Sequence, residues 1–426
     1  MDIIHIIVEV VMKTPPSVPR IEALKIKNYR ALHDLELKDI TPYTVFLGPN
    51  GSGKSTIFDV FAFLSECFQS GLKGAWGRRG KFKELRTRGV PKDEKIVIEL
   101  KYREARGQPI ITYHLAISED KKSNPIVSEE WLQWRRQGRG RPFKFLDFQD
   151  GKGEVISGEN PDESDERISE SLSSPDMLAV STLGQFAKHP RVSALRQFIT
   201  DWSLSYLSVN EVRKIHDSGP QDRLSESGDN LANVIQYLSE SEPEELAKIL
   251  GKLSSRVPRL DSVESEFMSD GTLCLMFKDI PFEEPVIAKY VSDGTLRLLA
   301  YLVLLYSPKS PKLIGVEEPE NQLHPRLLEQ LAEEFRIASA HTQIFVTTHS
   351  PYFVNELSPK EVRVLYRDEK GFTHAVCVSD MESAMAFLRE GAKIGALWME
   401  GILTVGDPLI NAGGPKKTIQ TPLFKE

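Results

Sequence analysis

The chain has 426 residues, of which 40% are hydrophobic and 27% charged. That composition suits a soluble globular protein built as one large domain with insertions, or as two domains. A net charge of −7 excludes a molecule that is polycationic as a whole, so any nucleic-acid contact must use a local patch. Cys67, Cys274 and Cys377 are too far apart to read as a zinc site or a disulfide framework, which predicts a reduced, cytoplasmic setting.

The opening MDIIHIIVEVVMK is apolar but short, starts with Asp2 and carries Glu9. It reads as an edge strand or as an extension ahead of the second methionine, Met12, rather than as a signal peptide or a bilayer span. No other stretch has eighteen unbroken apolar residues, so no membrane partner is expected. Residues 20–47 alternate apolar and polar positions and predict strands. YTVFLGPNGSGKST then predicts strand, glycine-rich loop and helix, with Ile57, Phe61, Leu64 and Phe68 on one helix face and Gly71 as the stop. Residues 72–92 are basic, 94–102 and 109–118 predict paired strands, and 156–175 is acidic and serine-rich, which predicts a solvated loop.

Helical patterns follow over 188–202 and over 230–258, the second broken near Pro243. Strands at 261–268 and 271–279 flank a turn at Asp270-Gly271. VSDGTLRLLAYLVLLY is apolar nearly all round and predicts a buried helix. LIGVEE predicts a buried strand ending in two carboxylates, a helix spans 325–339, and QIFVTT predicts a further strand ending at His349.

Two of these segments carry chemistry. GPNGSGKST matches the phosphate-binding loop G-x-x-x-x-G-K-[S/T] in the required context of strand and helix. Its backbone N–H groups turn inward around phosphate oxygens, Lys54 reaches the outer phosphates, Ser55 ligates Mg²⁺, and the helix N-terminus adds partial positive charge. The adjacent Glu317 and Glu318 would repel each other at a buried strand end unless something positive sits there. A phosphate-bound Mg²⁺ is that partner: Glu317 holds the ion, directly or through water, and Glu318 accepts a proton from an attacking water. No N-K-x-D base-reading sequence of a GTPase is present. VSDGT opens a helix just before the Glu317 strand, so Ser292 and the Gly294 backbone are placed to donate hydrogen bonds to a phosphate.

In order, the P-loop, VSDGT, LIGVEEPENQLHP and IFVTTHSP resemble the ABC-type ATPase set of Walker A, signature, Walker B with catalytic glutamate, D-loop and switch histidine. With the strand Ile26–Arg30 (I-K-N-Y-R), the chain is similar to the predicted bacterial AAA-type ATPases grouped with OLD-like and SMC-like proteins. The motifs cover about a third of the chain, residues 20–72 and 286–356. The resemblance implies an α/β fold: a P-loop NTPase with an ABC-type ATPase head and an inserted mixed α/β lobe. The divisions expected are an N-terminal extension (1–19), the first part of the head with Walker A (20–92), the inserted lobe (93–285), the second part of the head (286–380) and a C-terminal tail (381–426).

The resemblance further implies ATP and Mg²⁺ as cofactors and a homodimer joined through ATP. Asn50, Gly51, Gly53, Lys54, Ser55 and Thr56 of one subunit would hold the nucleotide. Ser292 and Gly294 of the other would close over the γ-phosphate, Ser55 and Glu317 would serve the metal, and Glu318 and His349 would be catalytic, His349 by contacting the γ-phosphate or orienting the water. Walker B commonly carries Asp where this chain has Glu317, and neither Gln69 nor Gln185 is a decisive Q-loop residue. About 240 residues separate Lys54 from Ser292, too few for a long SMC coiled coil. Residues 73–92 and 131–145 carry Arg78, Arg79, Arg86, Arg88, Arg135, Arg136, Arg139 and Arg141, with Trp131, Trp134 and Phe143 among the second group. Two readings of that mixture stand open: phosphate contact with base stacking, or a solvated strand pair with its aromatics turned inward.

The functional expectation is an ATP-driven switch that controls a separate effector protein, a nuclease or toxin, or senses nucleic acid, in a setting such as antiphage defence. A DNA-repair or chromosome-maintenance ATPase that clamps DNA directly is the alternative.

Overall fold

The computed structural model describes residues 18–91, 93–135, 141–214, 216–217, 219–403 and 405. The expected extension before residue 18, residues 404 and 406–426 of the C-terminal tail, and Arg136 and Arg139 lie outside these residues. Two strands open the chain, β1 (Arg20–Tyr29) and β2 (Leu32–Leu37), followed by β3 (Tyr43–Leu47), helix α1 (Lys54–Ser70) and helix α2 (Leu72–Arg78). An antiparallel run follows: β4 (Ile96–Arg103), β5 (Ile111–Glu119), β6 (Pro125–Trp134), β7 (Phe143–Gln149), β8 (Lys152–Ile156) and β9 (Arg167–Ser171). Helices α3 (Ala179–Leu183) and α4 (Pro190–Thr200) lead into β10 (Trp202–Ser205).

The second half holds α5 (Val209–Val212), β11 (His216–Asp217), α6 (Leu231–Ser241), α7 (Pro243–Ser254), β12 (Leu260–Phe267), β13 (Thr272–Asp279) and β14 (Val286–Ile287). Then come α8 (Asp293–Tyr306), β15 (Leu313–Glu317), α9 (Pro325–Ala338), β16 (Gln343–Thr348), β17 (Val362–Arg367) and β18 (Thr373–Cys377).

Three sheets form. The order β2-β1-β4-β5-β6-β7-β8-β9 is antiparallel throughout, and β10-β15-β16-β3-β17-β18 is parallel except for β18. β11, β13 and β12 make a smaller sheet, with β14 paired to β13. The central parallel strands β15, β16 and β3 are buried on both faces, which explains why they read as nearly continuous apolar runs. Alternate residues serve two cores: Val45, Leu47, Ile314, Val316, Ile344 and Val346 face one, and Phe46, Leu313 and Phe345 face the other.

Helix α1 fills the second core, between the parallel and antiparallel sheets. Ile57, Phe58, Phe61, Leu64 and Phe68 are all essentially inaccessible to solvent. Phe61 stacks on Phe345 with ring centroids 5.2 Å apart and lies 4.9 Å from Trp202. Gly315 is required by this packing, because a Cβ there would stand 2.4 Å from the Trp202 ring. On the other face, buried Glu334 of α9 accepts from Lys252 of α7 (3.0 Å), from Arg256 just past the end of α7 and from the Tyr306 hydroxyl of α8. Three helices are thus joined at one carboxylate.

The division expected at 92–93 runs between hydrogen-bonded neighbours, since β4 pairs with β1 from Arg20↔Arg103 to Lys27↔Val97. Likewise β10, expected within the lobe, pairs with β15 as an outer strand of the parallel sheet. The acidic run expected as a loop contains the edge strand β9, paired to β8 with alternate residues exposed.

Glu130 of β6 is fully buried and accepts from the Tyr113 hydroxyl at 3.0 Å and from the Ala179 and Val180 N–H groups at the start of α3. Burial pushes its carboxyl from 4.5 up to about 7, against those three hydrogen bonds. The folded chain therefore holds this proton more tightly than the unfolded chain. Its contribution to stability is present below pH 4.5 and is lost as pH rises through about 7, a loss of roughly 3 kcal/mol. Urea unfolding across that window is expected to show this decline in the native protein and a flatter profile in Glu130→Gln. Parallel profiles would refute the assignment.

Candidate functional site

The carboxyl ends of three adjacent parallel strands converge. Register places Glu317 opposite Thr347, and Thr347 and Thr348 opposite Phe46 and Leu47. Two strand spacings, about 10 Å, therefore separate the end of β15 from the end of β3.

After β3 the chain turns through Gly51 (φ 78°) and Gly53 (φ 103°), a left-handed region that only glycine occupies without strain. Helix α1 begins at Lys54, with Thr56 N–H donating to the Gly53 carbonyl at 3.1 Å. Lys54 is 6% exposed, and its Nζ folds over the loop to donate to the carbonyls of Gly48 (2.8 Å) and Pro49 (3.0 Å). Burial draws its ammonium below the ordinary range, while Glu318, Glu320 and Glu317, in that order, act in the opposite sense. Asn50, Gly51 and Ser55 are exposed at the mouth of the loop.

Glu318 has a φ of 44°, rare for a residue with a side chain. Its N–H donates to the Thr347 carbonyl at 2.9 Å, so the strand ends in a turn held by the neighbouring strand. Glu318 accepts from the Asn321 amide at 3.2 Å. His349 Nδ1 stands 3.5 Å from Glu318 and 3.6 Å from Glu320.

Glu320 stands within LIGVEEPENQLHP, where the motif resemblance assigns it no role. Its side chain is only 8% exposed, and one oxygen accepts from the Thr348 hydroxyl (2.8 Å) and the His349 N–H (2.9 Å). Its other oxygen is buried without a partner, as is the Ser52 hydroxyl in the P-loop. The local charge is three carboxylates against one lysine, with an unsatisfied acceptor aimed inward. That donor set fits a divalent cation held by one or two carboxylates together with phosphate oxygens, the usual arrangement for Mg²⁺. Among the described residues no group of three or more His, Cys, Asp or Glu side chains forms a metal cage by itself.

The VSDGT turn is organised separately. Ser292 caps α8, accepting from Thr295 N–H at 3.3 Å. Arg213 pairs with Asp293 at 2.5 Å and donates to the Val291 carbonyl at 2.6 Å. A Cβ on Gly294 would meet the Gln322 carbonyl at 3.4 Å. Arg297, buried in the apolar helix, donates to the carbonyls of Asn321 (2.5 Å) and Leu207 (2.6 Å). Among the described residues, the side-chain hydrogen bonds and ion pairs of Ser292, Asp293 and Thr295 run to one another and to Arg213, and none reaches Gly48–Thr56. The structure thus gathers Lys54, Glu317, Glu318, Glu320 and His349, and sets Gly294 beside Gln322 and Leu323. The sequence motifs assign no role to Arg297 or Glu320; a lone arginine in an otherwise apolar helix is the available signal for the first.

Gln69 lies at the far end of α1, bonded to Ser65 and the Thr200 carbonyl, and Gln185 bonds the Ser181 carbonyl. A helix places Gln69 about 22 Å from its own N-terminus, far from the phosphate loop. In the basic segments, Arg79 is paired to Asp59 and Glu66, and Arg78 to Glu66. Trp134 is buried, and one neighbour, Trp131, is stacked on His114 at 4.6 Å with the Lys144 ammonium 5.1 Å from its ring. Arg135 and Arg141 are exposed, but these tryptophans are not free stacking platforms.

Residues 43–355 match the model of the family described as "AAA domain, putative AbiEii toxin, Type IV TA system". The chain belongs to that family. It is an AAA/ABC-like P-loop ATPase by family, and its fold is that of the SMC head. An SMC head bound to the C-winged helix domain of ScpA superposes with a TM-score of 0.53 at 12% identity, covering 84% of this chain and 97% of that one. The Pyrococcus furiosus SMC head with an extended coiled coil, bound to the C-terminal domain of ScpA, gives 0.49 at 13% identity over 88% and 99%. The Thermotoga maritima SMC head domain gives 0.44 at 13% over 84% and 98%. No curated protein matches the chain in sequence. Members of such ATPase families generally use ATP with Mg²⁺, and among the described residues no helix is long and apolar enough to cross a membrane.

Proposed function

We propose that the chain is an ATP-hydrolysing switch that works as a homodimer, with each nucleotide held by the P-loop of one copy and closed by the VSDGT turn of the other. The observation that carries this reading is the division of labour within one chain. The lysine, three carboxylates and histidine gather at the strand ends, while the side-chain bonds of the signature turn run to Arg213 and to one another rather than to the P-loop. Asn50, Gly51, Gly53, Lys54, Ser55 and Thr56 hold the triphosphate, and Ser55 and Glu317 hold the Mg²⁺ that neutralises its charge. Glu318 takes the proton of the attacking water, and His349, 3.5 Å away, orients it or contacts the γ-phosphate. Glu320 positions His349 through its backbone N–H.

Opening and closing of this dimer would control a separate effector, a nuclease or toxin, or report nucleic acid, in antiphage defence. The family description, which names a toxin and a type IV toxin–antitoxin system, supports that setting. Ser292→Arg tests the dimer. It is expected to leave ATP binding by the single chain intact, and to abolish ATP-dependent dimerisation in sedimentation velocity along with turnover. The lost cap costs only about 1 kcal/mol of stability. Unchanged sedimentation and hydrolysis would refute the shared site.

A further inference from the structure

Three sulfur atoms meet on the outer face of the small sheet. Cys274 Sγ lies 3.4 Å from Met268 Sδ and 3.7 Å from Met276 Sδ. Alternate residues of a strand share a face, so Cys274 and Met276 of β13 project together, on the side opposite Leu273, Leu275 and Phe277, which fill a core. Register sets Cys274 against Glu266 and Met276 against Glu264 on β12. Residues directly opposed across an antiparallel pair stand on one face, so two exposed carboxylates flank the sulfurs.

Met268 comes from the turn between β12 and β13. Its N–H donates to the Thr272 carbonyl at 2.8 Å, and its carbonyl accepts from the Gly271 N–H at 3.0 Å. Asp270 pins the turn by accepting from the Thr272 N–H (3.0 Å) and hydroxyl (2.6 Å), and Gly271 supplies its left-handed residue at φ 86°. The turn brings Met268 back over Cys274. Met268 is 40% exposed and Cys274 6%, so the thiol forms the floor of a cluster that opens to solvent.

Methionine most often fills a gap in a core, but Cys274 belongs to neither core of this protein and Met268 faces outward. Thioethers paired with a thiolate are soft ligands and select soft ions such as Cu(I), whereas zinc sites use thiolate, imidazole and carboxylate. An ion bound at about 2.3 Å in the centre of a sulfur triangle holds its ligands about 4 Å apart. The two spacings found are close to that, and the three rotatable bonds of each methionine can take up the difference. The carboxylates of Glu264 and Glu266 add a negative field that favours a cation.

We propose that Met268, Cys274 and Met276 form a site for a soft monovalent metal ion, Cu(I), on the β12–β13 hairpin. It stands apart from the ATP site and does not depend on it. On binding, the Cys274 thiol gives its proton to solvent and a copper–sulfur bond replaces the S–H bond. Copper stays Cu(I), and no electron is transferred. Burial, with the Glu266 charge beside it, holds the free thiol above its ordinary range, so each ion bound releases one proton.

Anaerobic titration of the full, reduced chain with Cu(I) held by the chelator bicinchoninate tests the site. The native chain is expected to take up one ion, and X-ray absorption to show sulfur ligands at about 2.3 Å. Cys274→Ser should lose Cu(I) affinity by about 100-fold or more, and Met268→Leu and Met276→Leu by about 10-fold each, at or above the scale of a lost supporting partner. Leucine conserves the volume of methionine, so these two variants fold and carry the test should Cys274→Ser not. A native chain that takes no copper from the chelator would overturn the proposal. So would native affinity in Cys274→Ser, which would put the ion at Cys67 or Cys377. Native affinity in both leucine variants would leave a bare thiol in place of the three-sulfur site, and Zn(II) bound as tightly as Cu(I) would refute the soft-ion assignment.

Discussion

Glu318→Gln is expected to bind ATP normally, to lose hydrolysis by a factor of about 10² to 10⁴, and to accumulate as an ATP-bound dimer. The amide keeps the size and hydrogen-bonding reach of the carboxylate but cannot accept a proton from water. Its neighbours remain in place. The Glu318 N–H bond to Thr347 is a backbone contact, and Asn321 reaches the side chain at 3.2 Å through an oxygen that the amide also supplies. Glu317, the carboxylate assigned to the ion, is untouched, so nucleotide affinity should hold. Removing one of three carboxylates also relieves repulsion of the phosphates, which favours the closed state. Single-turnover hydrolysis and sedimentation with ATP read the two effects separately. A monomer with native hydrolysis would dismiss Glu318 as the base.

The second large effect is on binding itself. Lys54→Ala is expected to weaken Mg·ATP affinity by about 100-fold, the scale of one lost charge-assisted phosphate contact with the repulsion it had masked. Glu317, Glu318 and Glu320 all act electrostatically on this ammonium. Without it they face the phosphates uncompensated. The carbonyls of Gly48 and Pro49 lose their donor as well, so the loop itself should loosen. Equilibrium titration with a fluorescent ATP analogue measures the loss, and an affinity equal to that of the native chain would remove Lys54 from the site. Because Glu318→Gln should spare affinity and Lys54→Ala should destroy it, the pair distinguishes a chemical step from a binding step.

Much of the site was legible because its determinants are local. The glycines of GPNGSGK demand a loop that a β-carbon would obstruct, and Gly53 indeed sits at φ 103°. Phe61, Leu64 and Phe68 announce α1 by spacing alone, and Gly71 ends it. Glu317 and Glu318 announce a charge problem by adjacency. What stayed hidden depends on residues far apart in the chain. Glu320 acquires its place from Thr348 and His349, 28 and 29 positions away. Arg297 acquires its place from Leu207, 90 positions back. Composition leaves both a base-stacking and an inward-facing reading open for Trp131 and Trp134, and only the stacking of His114 on the first ring and the burial of the second favour the inward one.

Taken alone, the order of amino acids determined the phosphate loop, the strand and helix periodicities and the chemical identity of the charged groups, because each arises from the φ/ψ demands and side-chain spacing of neighbouring residues. Tertiary structure decided that β4 joins β1 across the expected division, that β10 completes the parallel sheet, and that the turn after β17 rests on the P-loop. Those outcomes depend on pairings such as Thr373 with Ser52, 321 residues apart. Such contacts are chosen by burial and hydrogen-bond satisfaction over the whole chain, which no local window of sequence records.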